Sequence, residues 1–215
     1  MSRLSTSIIA SIIAIAPIAS QAFGLPSVPG LGSNSSGSSA GADLSGSQDQ
    51  LVKQYVSAGK SVLDGNAKMA EAVGLEKEAA ASRAAGDSLT DGATRGTLSD
   101  SDKVTSEGNA AVAAALKNTD KMDAPAKAKF VGGMVSLAQG LGQYIGMRGP
   151  FDSFQKGLSS ASPTMLPKLQ SGAYVATSFP TSVKNLSAAL SNAVSYAKSH
   201  DIAVPKDATD ALSKL

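Results

Sequence analysis

The chain has 215 residues, 42% of them hydrophobic but only 4% aromatic, with no tryptophan and a formal net charge of +2. With no cysteine, disulfides, thiolate metal sites, a cysteine nucleophile and the lipid-attachment cysteine of a bacterial lipoprotein are excluded. Near-neutral charge and scarce aromatics argue against nucleic acid as a partner.

Residues 1–22 read as an export signal. Arg3 supplies the positive start, Ile8 to Ile18 an apolar run too short to span a bilayer, and Ser20-Gln21-Ala22 the small residues of a cleavage site before Phe23. The expected location is the periplasm or the medium. Residues 23–47 follow as a Gly/Ser/Pro-rich linker whose apolar content is too low to offset the entropy of ordering. Residues 48–215 then form the expected single domain.

From Gln48 the spacing becomes helical. Leu51, Tyr55, Ala58, Val62 and Met69 make one stripe, and Gly74 is placed to end the helix in a left-handed cap with Leu75 folded back. A second, Ala-rich helix runs from Glu76 to about Leu89. After Gly92 and Gly96, Ser99 reads as the N-cap of a third helix near 100–118, with Asp100 and Asp102 serving the dipole at its start. Asp100-Ser101-Asp102 lacks the glycine and the glutamate of a calcium loop, so it is assigned to capping.

Asp123-Ala124-Pro125 starts the helix 124–147, whose buried stripe is Phe130, Met134, Leu137, Leu141 and Tyr144. Shorter pieces follow around Phe151, Phe154 and Leu158, and from Ser162-Pro163 through Tyr174 and Val175. Phe179-Pro180 reads as punctuation before a last long helix, 181–199, with Val183, Leu186, Leu190, Val194 and Ala197 inward. The only histidine, His200, sits where it can meet terminal carbonyls. Ile202 to Pro205 reads as extended, and Asp207 as the cap of a final short turn. Nothing alternates with period two, so the expected fold is an all-α bundle of six or seven helices.

Charge is uneven. Acids outnumber bases by eleven to seven over residues 43–107, whereas bases outnumber acids by seven to three over 108–170. The simplest account is attraction between halves of one fold; the other is contact with an anionic surface. No arrangement of serine, lysine, histidine or carboxylates forms a recognisable catalytic set, and no cofactor or metal is expected. The most informative feature is instead the small-residue face of helix 124–147. Ala138, Gly142 and Gly146 are four apart, which lets another backbone or an apolar chain approach closely. Met134 and Leu141, with Met147 and Met165, would complete the lining. The sequence therefore predicts an exported, non-enzymatic protein that binds an apolar or amphipathic small molecule or a partner helix at Met134, Ala138, Leu141, Gly142 and Gly146. The alternative is a structural or assembly protein of the envelope, with at most peripheral membrane contact.

Overall fold

In the computed structural model, which describes residues 38–215, these periodicities become seven helices and no strand among the described residues: α1 (Ser38–Ala72), α2 (Glu76–Ser88), α3 (Arg95–Leu116), α4 (Ala124–Gly146), α5 (Arg148–Ser159), α6 (Gln170–Ser199) and α7 (Lys206–Leu212). A single 3-10 turn, Leu166–Lys168, precedes α6. The fold is an all-α bundle. The expected signal, residues 1–22, and the first part of the expected linker lie outside the described residues.

Sequence-local chemistry explains most of the boundaries. Gly74 adopts a φ of 75°, and Leu75 N–H reaches back to the Ala70 carbonyl at 2.8 Å while Gly74 N–H reaches Glu71 at 3.2 Å. That pair of bonds satisfies the last free carbonyls of α1, and only glycine enters this backbone region without a steric cost. At the start of α4 the Asp123 carboxylate accepts from Ala126 N–H at 2.8 Å, and Pro125 occupies a first-turn position where its missing N–H costs nothing.

Four boundaries differ from the sequence expectation. α1 begins at Ser38, ten residues inside the predicted linker. Leu44 is buried against Gly157 of α5, and the Gln48 side chain bridges to the Lys168 carbonyl and to Gly172 N–H, so tertiary contacts hold a turn that propensity alone would not. α3 begins at Arg95, capped by Thr94, whose hydroxyl accepts from Thr97 N–H at 3.3 Å; Ser99 is therefore inside the helix rather than at its cap. α6 runs through Pro180 without a break. Proline removes the bond to the Ala176 carbonyl, but Phe179 is anchored between Phe151 (ring centroids 4.7 Å apart) and Tyr144 (6.0 Å), and Pro180 itself faces solvent. α7 is entered from Pro205, and Asp207 lies in its first turn without a side-chain capping bond.

α1 and α4 form the spine of the bundle. They touch backbone to backbone: a Cβ placed on Gly133 would meet Met69 and lie 3.0 Å from the Gly65 carbonyl, and one on Gly140 would lie 3.2 Å from the Ala58 carbonyl. Phe130, Met134, Leu137 and Leu141 are sealed beneath α4. Two polar clusters fasten the spine at its flanks. Glu71 of α1 pairs with Arg83 of α2 and with Lys129 of α4 (3.2 Å). Ser136, buried on α4, donates to Asp64 of α1 at 2.7 Å, and Lys68 contacts the same carboxylate. Burial raises the Asp64 pKa, but the bonds from Lys68 and Ser136 outweigh it and the carboxyl titrates below its ordinary range. At the far end, Tyr196 and His200 stack at 3.9 Å, and His200 Nδ1 lies 2.9 Å from the Tyr196 carbonyl. The lone histidine closes a helix.

Candidate functional site

The five residues expected to form a groove on helix 124–147 do not line one cavity. Met134 and Leu141 are fully enclosed in the core. Ala138 is buried where α7 crosses α4, beside an open depression of about 350 Å³ shared with Val135 and Asp210. Gly142 and Gly146 face solvent, and a Cβ on either would meet no atom within 4 Å. The glycines of α4 that serve close approach are Gly133 and Gly140, on the opposite side of the same helix, where they meet α1 near Gly65 and Ala58. Helical spacing alone cannot distinguish the two sides, because both carry small residues.

A different site emerges between α3 and α6, floored by α1 and α4. It is an open cavity of about 240 Å³. Its centre is Asp102, two turns into α3 once that helix starts at Arg95. Both the Tyr55 hydroxyl of α1 and the Tyr174 hydroxyl of α6 donate to Asp102 Oδ2 at 2.7 Å. Tyr55 also lies 2.8 Å from Ser182 Oγ. Val62, Tyr144 and Leu186 supply the apolar part of the lining, and Thr105, Ser106, Thr177, Ser178, Thr181 and Asn185 the polar part.

The α6 side of this wall is one helical face. Tyr174, Thr177, Ser178, Thr181, Ser182 and Asn185 recur at threes and fours, so they align only because α6 is continuous through Pro180. The hydroxyls are also oriented. Thr177 Oγ1 donates to the Tyr174 carbonyl at 2.8 Å, and Ser182 Oγ reaches the Ser178 carbonyl at 3.1 Å. These bonds spend hydroxyl hydrogens on the helix and leave oxygen lone pairs toward the cavity.

Electrostatically the pocket is simple. Among the described residues, Asp102 is its only charged lining residue, and no lysine, arginine or histidine lines it. Burial raises the Asp102 pKa above the ordinary 3.8, and the Tyr55 and Tyr174 hydrogen bonds only partly oppose this. Burial also pushes the Tyr55 and Tyr144 phenols far above their ordinary value, so both remain protonated at neutral pH, and Tyr55 serves as a donor to Asp102. Among the described residues, no group of three or more histidines, aspartates or glutamates is placed to hold a metal ion, and no helix is long and apolar enough to cross a membrane.

The sequence assigns Asp102 to the dipole at a helix start and gives the hydroxyls of Thr177, Ser178 and Ser182 no role. The overlooked signal was the polar stripe itself, which was cut in half by the expected helix break at Pro180. The chain matches no known protein family, no curated protein and no solved structure.

Proposed function

We propose that this chain is an exported, non-enzymatic helical protein that binds a small polar molecule in the cleft between α3 and α6. The export part rests on the signal-like residues 1–22. The binding part rests on one observation: a solvent-open cavity of about 240 Å³ built around a largely buried carboxylate that has no cationic partner among the described residues. Burying an ionised carboxylate without a counter-charge opposes folding, and such groups concentrate at functional sites. The cavity is smaller than the roughly 300–1,000 Å³ of drug-sized ligand sites, which favours a small solute. Its hydroxyl-rich wall favours a polar ligand over the apolar one expected along helix 124–147.

The test is an NMR titration of labelled protein with a set of small polar solutes, repeated on Thr181→Trp, which fills the cavity from an exposed lining position. Saturable shifts at residues 102–106 and 174–186 that disappear in Thr181→Trp support the reading. A set in which no solute reaches those residues refutes it. A second reading, self-association or contact with another envelope protein, is favoured by the open face of α4, where Val135, Gly142 and Gly146 stand exposed in helical register. Light scattering over a range of concentration and salt tests it, and a monomer throughout counts against it.

A further inference from the structure

The hydrogen-bond pattern around Asp102 narrows the ligand, given the binding reading above. Both phenol hydrogens point at Oδ2. Among the described residues no donor reaches Oδ1, and this oxygen is not one of the buried polar atoms sealed from solvent without a partner. One lobe of the carboxylate is thus saturated and the other is open.

Four hydroxyls at this end, those of Tyr55, Tyr174, Thr177 and Ser182, have no hydrogen left for a ligand, whereas those of Thr105, Ser106 and Thr181 in the same lining remain uncommitted among the described residues. Tyr55 and Tyr174 each have one hydrogen, already given to Asp102. The Ser182 hydrogen goes either to Tyr55 or to the Ser178 carbonyl, and that of Thr177 to the Tyr174 carbonyl. On the side of Tyr174, Thr177 and Ser182 the cavity meets a negative charge beside acceptor oxygens. An anion is repelled there, and a neutral ether or ketone has no donor to offer. A quaternary ammonium has no N–H to give to Oδ1, so it gains less there than a primary one.

We infer that the pocket takes a small protonated primary amine, its ammonium group set on Asp102 Oδ1 and on the free lone pairs of Thr177 and Ser182. Three N–H donors on a compact cation match one open carboxylate oxygen flanked by two hydroxyl acceptors. The apolar patch of Val62, Tyr144 and Leu186 receives the carbon chain, and Asn185 and Thr181 can meet a polar tail.

Titrations with butylammonium, 1-butanol and butyrate, which share a chain and differ in the head, separate the outcomes. Butylammonium is expected to give saturable NMR shifts around Asp102 and Ser182 and to bind at least about tenfold more tightly than 1-butanol, the effect of one charge-assisted hydrogen bond. Asp102→Asn is expected to remove that preference while the rest of the spectrum is preserved. Should Asp102→Asn fail to fold, Thr177→Val, at an exposed position, is expected to weaken butylammonium several-fold and leave 1-butanol unchanged. Equal binding of 1-butanol, preferential binding of butyrate, or unchanged butylammonium affinity in a folded Asp102→Asn or Thr177→Val each overturns the amine inference while leaving the pocket a binding site. If none of the three probes, nor any solute in the broader set, reaches the pocket, the binding reading falls with it.

Discussion

Replacing Asp102 by asparagine distinguishes a carboxylate kept for binding from one kept for stability. In the fold, Oδ2 receives two phenol hydrogen bonds at 2.7 Å. Bonds to a charged acceptor contribute roughly 1.5–3 kcal/mol each and neutral ones about 0.5–1.5, so neutralising the group weakens the pair by roughly 2–3 kcal/mol. Against this, the variant no longer holds an unpaired anion away from water, a penalty that amounts to several kcal/mol per buried ion. The raised pKa of Asp102 gives the direction of the balance: burial makes ionisation harder in the folded than in the unfolded chain, and the two phenol bonds only partly oppose this. Asp102→Asn should therefore be at least as stable as the natural chain at pH 7. The sign with pH follows. A carboxyl whose folded pKa lies above its unfolded 3.8 costs nothing below 3.8, and costs progressively more as pH rises through the folded value. The variant's advantage should accordingly grow from pH 4 to pH 7 in urea denaturation. A loss of more than about 1 kcal/mol at pH 7 in Asp102→Asn would refute the reasoning and make Asp102 a structural tie between α1, α3 and α6.

Three further predictions concern the scaffold. Gly140→Ala places a methyl 2.7 Å from Val62 Cγ2 and 3.2 Å from a backbone carbonyl of α1, so it should destabilise by roughly 1–3 kcal/mol. Gly142→Ala, in open space two residues on, should stabilise by up to about 1 kcal/mol, and chemical denaturation of both variants checks the contrast. Glu71 has its pKa lowered from 4.5, first by the Arg83 hydrogen bond; its stabilisation is present above 4.5 and lost as pH falls through the folded value. Because Arg83 and Lys129 are half exposed, Glu71→Gln should cost only roughly 0.5–1 kcal/mol at pH 7 and little near pH 3, with the cost reduced by salt. Asp123→Ala removes the cap on α4 and should lower stability by about 1 kcal/mol, visible as a lower melting temperature and as faster amide exchange at Ala126.

The amino-acid sequence determined what is local. The helical class, the Gly74 and Asp123 ends, the buried stripe of α4 and that of α6 from Leu186 onward follow from side-chain periodicity and backbone preference, which act within a few residues. It also excluded disulfide and thiolate chemistry outright. What it could not determine depends on contacts between distant segments. Whether Pro180 ends a helix is decided by Phe151 and Tyr144 gripping Phe179, not by the proline. Which glycines of α4 face another backbone is decided by where α1 lies, so Gly133 and Gly140 are in contact while Gly142 and Gly146 are open. Asp102 shows this most clearly. In the sequence it is one of two aspartates near a helix start; only the packing of α1, α3 and α6 brings Tyr55 and Tyr174 onto one of its oxygens and leaves the other facing a cavity. Burial and charge isolation are properties of three-dimensional surroundings, and the chemistry of this site depends on both.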